Sequence, residues 1–422
     1  MDPSKLHVDD TGHFDLRPQQ YQGQTILTYF KGPAAVGYGY GDIFLMNDQY
    51  QVFDTVTTGG SLPPHETDFH DAVITDDQTM LVLAYVKQPA DLSEIGGPAE
   101  GWVHDGVIQE VDVATGEVVF EWSALDHVPV TDGLLDFDDE AGADAEEGQP
   151  ELGTFENPWD YFHINSATLD EDGAILMSAR HTNAVYQIDR TTGDIQWTLG
   201  GVASDFALDD DAVFAWQHTA ARDTDGTLTL FDNHARNAEG DKSSRGLRLN
   251  LDKNAMTASV VTEYLPPDER PAGSMANTQP LENGNMFIGW GQQPYFTEFT
   301  RDGELIYEVC HGDDCHDNTG GGGGSYRAYK GYWQGDPTTE PTVVVQQNVQ
   351  GADTLYVSWN GATEVVQWRV LTGHDATGTR ELAVVDKTGF ETAIPLEDSS
   401  EYLAVEALDE DGEVLGTGTP QR

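Results

Sequence analysis

Three histidines of this chain recur at one place in a repeated text: His70 in DFHDAV, His163 in YFHINS and His218 in WQHTAAR. Each directly follows an aromatic residue or Gln, and in a fourth copy the same place holds Asn277, in MANTQP. A neutral imidazole keeps a lone pair at neutral pH, so it can attack an electrophile, pass a proton or ligate a metal. Among thirteen histidines, a single one beside an aromatic is most simply a hydrogen-bonded core residue. Three in a common register call for a shared task. Asn165 lies two residues after His163 and so shares its strand face. Arg180 closes the next strand of that unit (MSARHTN), Arg222 stands four after His218, and Arg245 sits in SSRGLRLNLD. No carboxylate falls on the first-strand positions themselves. The group therefore reads as a cationic pocket, suited to an anionic group being transferred. The remaining histidines read as structural: His65, His104 and His127 in loops that rim an entrance, His181 and His234 just after strand ends.

The elements that must hold these residues are strands. Gly (45) and Pro (19) are spread between short runs of Val, Ile, Thr, Tyr and Phe, and no long segment keeps a helical period. Four segments share an opening strand, an Asp/Asn/Gly turn and a second apolar strand: 69–85, 162–180, 216–233 and 275–290. Each is followed by a hairpin-like pair, at 107–122, 185–199, 247–264 and 296–309, with turns such as DEDG, DTDG, TTGD and RDGE. Four antiparallel strands per unit is the pattern of propeller blades, whose first strands line a central axis and would bring the three histidines to one mouth. Strand text at 20–58 adds to this, giving an expectation of five or six blades with the N-terminal region helping to close the ring. An array of sandwiches is the structural alternative.

Two segments interrupt the repeat, an acidic excursion at 128–157 and the glycine run 320–324. After DPTTEPT (336–342) the text changes to six or seven short strands without a cysteine. The expected domains are a β-propeller over 1–335 and a small fibronectin- or immunoglobulin-like β-sandwich over 336–422.

Charge narrows the partners. The 422 residues carry 74 Asp+Glu against 20 Lys+Arg, a net of −54, and only seven of the bases are Lys. So acidic a surface repels nucleic acid and anionic lipid, and it stays hydrated where concentrated salt screens its self-repulsion. The expectation is a salt-adapted source. No stretch approaches 18 consecutive apolar residues, so no membrane span is expected, and MDPSKLHVDD does not read as a secretory signal. Cys310 and Cys315, in EVCHGDDCHD, suit a small disulfide-closed loop better than a zinc ribbon, a faint pointer to export. There is no G-x-S-x-G elbow, P-loop, G-x-G-x-x-G or H-E-x-x-H. The acidic runs 136–140 and 209–211 lack an EF-hand loop and read as solvated surface.

DYFHINSATLDEDGAILMSARHTNAVYQIDRTTGDIQWTLGG, FAWQHTAARDTDGTLTLFDN and GNMFIGWGQQPYFTEF together resemble the arylsulfotransferase family, as does the SWNGATEVVQWRVL tail for one branch of it. The resemblance implies a six-bladed propeller that moves a sulfuryl group from an aryl sulfate ester to a phenolic acceptor. It also implies no nucleotide donor, no cofactor or metal, export, and often a homodimer. His218 matches the family's nucleophilic histidine, His70 and His163 its supporting histidines, and Asn165 and Arg180 its sulfate-binding residues. The implied steps are ping-pong: His218 takes the sulfuryl group as a sulfohistidine while His70 protonates the departing phenolate. Around them Arg222, Asn277 and Arg245 are further candidates for holding substrate. Tyr161, Phe162, Trp216 and Trp290 could stack on an aryl ring. Two other readings of the residues stand beside this one. Three axial histidines could hold zinc for hydrolase or lyase chemistry, or the propeller could bind a ligand without turnover.

Overall fold

The structure, a computed structural model, describes residues 11–35, 37–137, 150–234, 243–268, 270–311, 324–347, 353–377, 379–396 and 402–420. The middle of the acidic excursion, most of the glycine run and Cys315 lie outside the described residues; Cys310 is disulfide-bonded. The architecture is all-β. Two compact units form: one comprises 1–45 and 54–331, the other 46–53 and 332–422. The sequence reading drew its line at 335/336.

The first unit is a succession of antiparallel sheets. The first sheet runs β1 (Thr11–Tyr21), β2 (Gln24–Ala35), β4 (Asp42–Met46), β5 (Val52–Val56), with the two-residue β3 (Tyr38–Gly39) on β2. The second takes β6 (Thr67–Ile74), β7 (Thr79–Ala90), β8 (Gly101–Asp112) and β9 (Val118–Ser123) in sequence order. The third repeats the plan with β10 (Ile164–Leu169), β11 (Ile175–Ala179), β12 (Ala184–Ile188) and β13 (Ile195–Gly200). The fourth adds the short β14 (Ala207–Leu208) outside β15 (His218–Arg222), β16 (Leu228–Asp232), β17 (Arg245–Asp252) and β18 (Thr257–Tyr264). The fifth is β19 (Asn277–Pro280), β20 (Met286–Gly289), β21 (Tyr295–Phe299) and β22 (Leu305–Cys310). The expected turns close these hairpins. Gly173 in DEDG and Gly226 in DTDG adopt φ of +73° and +86°, where a Cβ would be strained. In TTGD, Asp189 Oδ1 accepts from the backbone N–H groups of Thr191 and Thr192.

Alternation along each strand explains how the sheets stack. On β11, Ile175 and Met177 join a cluster with Leu81, Leu83 and Ile108 of the second sheet. Leu176 between them joins one with Leu228, Leu230 and Leu247 of the fourth. A period of two thus lets one sheet bury both faces, each against the neighbour next in sequence. The same rule packs the first sheet on the second through Phe30, Leu45 and Val82, and the fourth on the fifth through Phe231, Tyr264 and Ile288. First strands abut in order. Ala167 N–H donates to Asp71 Oδ2, Ala220 N–H to Ser166 Oγ, and Thr278 N–H to Thr219 Oγ1. Residues 325–330 run beside β19, whose Asn277 and Gln279 amides each pair with the backbone N–H and C=O of Ala328 and Lys330. Five such sheets lie among the described residues.

The second unit has a three-stranded sheet of β23 (Thr342–Gln347), β24 (Asp353–Ser358) and β27 (Glu391–Pro395). A four-stranded sheet orders β26 (Arg380–Asp386), β25 (Gln367–Gly373), β28 (Tyr402–Leu408) and β29 (Val414–Gly418). Both sheets feed one cluster that includes Val343, Leu355, Ile394, Trp368, Val370 and Val405.

Candidate active site

The site is built where first strands start, and there the backbone is irregular. The β6–β7 register shifts between Thr67 and Ala72, β10–β11 between Ile164 and Ser166, and β15–β16 between His218 and Ala221. His163, Trp216 and Thr219 take left-handed φ values of +52°, +58° and +53°. Bulges re-aim side chains, and non-glycine residues persist in this region only when their surroundings hold them there.

Four imidazoles meet at these irregularities. His70 and His163 lie edge-on with centroids 5.0 Å apart, and His163 and His181 are 4.5 Å apart. His218 is 2% exposed and feels Arg180, His70 and Arg327 electrostatically. Their tautomers follow from their partners, since a carboxylate, a carbonyl and an amide oxygen only accept. His70 Nδ1–H donates to Asp68 Oδ1 (2.5 Å) and His163 Nδ1–H to Asp160 Oδ2 (2.5 Å). His218 Nδ1–H donates to Asn233 Oδ1 (2.7 Å) and Trp216 O (3.1 Å). The orientation of Asn233 is unambiguous, because its Nδ2 donates to the carbonyls of Ala272 and Met275. In all three rings the lone pair is therefore on Nε2. Burial pushes His218 well below the ordinary histidine value, and Arg180 adds to it. Burial likewise lowers His163, helped by His70, Arg180 and His104. Both rings are neutral at pH 7.

Arg180 is held on three sides. NH1 donates to His181 Nε2 (2.8 Å), NH2 to Gly273 O (2.9 Å), and Cζ lies 3.6 Å from the centre of the Trp216 ring. Asn165 is fully buried, with Nδ2 donating to Gln217 O (2.7 Å) and Oδ1 without a hydrogen-bond partner. Gln217 is pinned in turn by Ser178, Ala179 and Ala184. The two guanidiniums nearest His218 electrostatically are Arg180 and Arg327. The second was not expected: Arg327 donates to Asp71 Oδ1 (2.9 Å) and Asn165 O (2.7 Å), and Asp71 is also paired with Arg17.

The structure thus brings together His70, His163, His218, Asn165 and Arg180, and departs from the sequence reading elsewhere. The pocket is not purely cationic, because Asp68 and Asp160 stand behind two of its histidines. Asp68 lies on β6 itself, two residues before His70, so the reading that the first strands carry no carboxylate is corrected there, whereas Asp160 precedes its strand. His181 belongs to the group instead of merely trailing a strand. His104 is buried in β8, 4.5 Å from the Tyr38 ring, and burial takes it down to about 4. Arg222 is clamped across to the third sheet by both oxygens of Asp170, and Arg245 within its own sheet by Asp232 and Glu263, so both guanidiniums are spent on structural carboxylates. Asn277 is occupied by the backbone of Ala328. Tyr161, Phe162 and Trp290 are fully buried core residues, with the Tyr161 hydroxyl on Val128 O and the Trp290 indole on Thr297. Rings that border these imidazoles include Phe69, Tyr85, Tyr326 and Trp216. Gly37 passes so close that a Cβ there would lie 3.5 Å from His163 Cε1.

Among the described residues one group could hold a metal by its donors: Asp160, His163 and His181, with ligand atoms within 4.8 Å of one another. Yet His181 Nε2 already faces a guanidinium, which donates and repels a cation, and its Nδ1 carries a proton directed at Asp160 O (2.5 Å). A cation bound there would have to displace that guanidinium, so this group does not suit a metal ion.

Residues 17–312 match the family model described as Arylsulfotransferase (ASST). The chain belongs to this family. At that level it is an arylsulfotransferase, and the matched span contains His70, His163, Arg180 and His218. No curated protein matches the chain. Among solved structures, this arylsulfotransferase-family chain is similar to a protein of unknown function from Bacteroides caccae, at 13% identity over 72% of this chain and 94% of that one, TM-score 0.35. It is also similar to a catalytically inactive variant of virginiamycin B lyase from Staphylococcus aureus with quinupristin, at 11% identity over 95% and 94%, TM-score 0.39. A third is the periplasmic gluconolactonase PpgL of Pseudomonas aeruginosa, at 11% over 97% and 96%, TM-score 0.36. Likeness at these values bears on none of the site residues above.

Proposed function

We propose that this arylsulfotransferase transfers a sulfuryl group from an aryl sulfate to a phenol through a sulfohistidine at His218. The observation that carries this reading is the pair of acceptors on His218 Nδ1, which leaves Nε2 as a buried, neutral nucleophile beside Arg180. In the first step Nε2 forms a bond to sulfur as the sulfur–aryloxide bond breaks. Negative charge then develops on the leaving oxygen and stays spread over the three other oxygens, so positioning and electrostatic stabilisation do most of the work. Arg180 supplies that stabilisation, together with the second amide proton of Asn165, while His163 packs against His70 and His181 beside them. His70 Nε2, whose lone pair is left open by the Nδ1 contact to Asp68, takes the proton of the incoming phenol and hands it on to the next departing phenolate. The acceptor oxygen then attacks sulfur, the sulfur–Nε2 bond breaks, and the free imidazole returns.

The finer architecture belongs to the same proposal: a six-bladed propeller closed by the 325–330 segment, with the second unit a fibronectin-type sandwich. The disulfide at Cys310 supports action outside the reducing cytoplasm, and the acid excess supports a salt-rich medium. The deciding experiment is intact mass after incubation with a chromogenic aryl sulfate in molar salt without acceptor. The expected outcome is a gain of one SO3 group, absent in His218→Ala and discharged by added phenol. Phenol release without an adduct, equally fast in His218→Ala, refutes it.

A further inference from the structure

Resting on the sulfuryl-transfer reading above, we propose that His181 is a positioning residue. Its Nε2 holds one edge of the Arg180 guanidinium so that the cation faces the sulfuryl oxygens.

The geometry leaves this ring little other use. A guanidinium has donors and no acceptor, so the 2.8 Å approach of Arg180 NH1 requires a lone pair on His181 Nε2. The ring proton is then on Nδ1, where the Asp160 carbonyl receives it at 2.5 Å. Packing against His163, with centroids 4.5 Å apart and the planes tilted by 32°, helps fix the plane of the ring. Gly273 O holds the other edge of the guanidinium and Trp216 its face. A guanidinium constrained on two edges and one face has a single orientation, which is what a charge-stabilising group needs before the reaction begins. Burial brings His181 down to about 3, against the pull of Asp160, so the acceptor persists through the working pH range. Asp160 emerges as a hub: its carboxylate sets the His163 tautomer and its carbonyl sets that of His181. One loop residue thereby governs the tautomer of His163 and, through His181, the cation expected to hold the sulfuryl group.

A phenyl ring would keep the shape of His181 and lose the acceptor, while glutamine would lose the ring and keep one. The test compares His181→Phe, His181→Gln, Arg180→Ala and the Arg180→Ala/His181→Phe double variant. Two quantities are read: the single-turnover rate of adduct formation on His218, and the affinity for inorganic sulfate by calorimetry. His181→Phe is expected to slow adduct formation about 100-fold, the scale of a misplacement near 1 Å, with KM nearly unchanged. His181→Gln should recover all but about 5-fold of that loss. The double variant should be no slower than Arg180→Ala alone, because a positioning residue acts only through its partner. An unimpaired His181→Phe, a His181→Gln as slow as His181→Phe, or additive losses in the double variant would each overturn the assignment. Should the wild type form no adduct at all, the sulfuryl-transfer reading fails, and sulfate affinity decides the positioning. A His181→Phe loss matching that of Arg180→Ala upholds it, and an unchanged affinity ends it.

Discussion

The third and fifth sheets of the first unit share one plan, four strands in sequence order, and differ at a single telling place. On the third, the strand start carries His163, in a left-handed conformation, with Asn165 two residues on and Arg180 at the end of the next strand. On the fifth, the matching place carries Asn277, and its amide is consumed at both ends by the backbone of Ala328. The same position in the repeat carries an imidazole with one ring nitrogen bonded in one copy and an amide bonded at both ends in another. A repeat therefore supplies places, and each residue's partners decide whether a place is reactive. A histidine whose Nδ1 is occupied has a reactive Nε2, whereas an amide with both its donor and acceptor occupied has nothing left.

That contrast can be broken by substitution. The largest effect is expected for His218→Ala, which should lower turnover at least about 1000-fold in steady-state assays, since it removes a bond-forming atom. Arg180→Met comes next, with about a 100-fold fall in kcat/KM in steady-state assays, the scale of losing one charge-stabilising donor group. Asn277→Ala should invert the pattern. Its two hydrogen bonds sit between buried backbone groups, so about 1–3 kcal/mol of stability in denaturant titration should go, with kcat/KM within about 3-fold of wild type. A 100-fold loss of turnover there would place Asn277 in the chemistry and dissolve the comparison.

Acid tests the region through its buried neutral rings. His163, His181 and His218 lie below the ordinary histidine value when folded, and His104 sits at about 4. The unfolded chain takes up protons near pH 6.5 while the folded one does not, so their contribution is complete above that pH and drains away as the pH falls below it. Each ring steepens the loss by up to about 1.4 kcal/mol per pH unit. Urea midpoints between pH 7 and 4.5 should fall accordingly, and less steeply in His104→Phe. The smallest expected effect is bulk screening: raising KCl from dilute to molar should lift the melting temperature, and a flat profile would remove the salt-adaptation proposal.

Much of this was legible in the sequence because strand alternation and Asp/Gly turns are local. The common register of His70, His163 and His218 was visible for the same reason, as was the candidacy of Asn165 and Arg180 beside them. What escaped is what the fold brings from elsewhere. Asp160 works through both its carboxylate and its carbonyl, and a backbone oxygen leaves no mark on a sequence. Arg327 is remote from every repeat it touches. Arg222 and Arg245 looked available because their carboxylate partners, Asp170 and Asp232, occupy other strands. Tyr161 and Trp290 looked like platforms because an aromatic residue beside a site reads the same whether it faces the axis or the gap between sheets.

The placement of Arg327 has a consequence for the order in which the protein is made. Asp71 and Asp15 are buried beside Arg17 and Arg327, and Asn165 O also waits for the latter. All of these are synthesised well before residue 327 leaves the ribosome. Until then the early sheets hold a surplus of carboxylate that cannot be buried without its second cation. The nascent chain thus carries an electrostatic latch, and the reactive centre becomes whole only when the last residue to reach it has been translated.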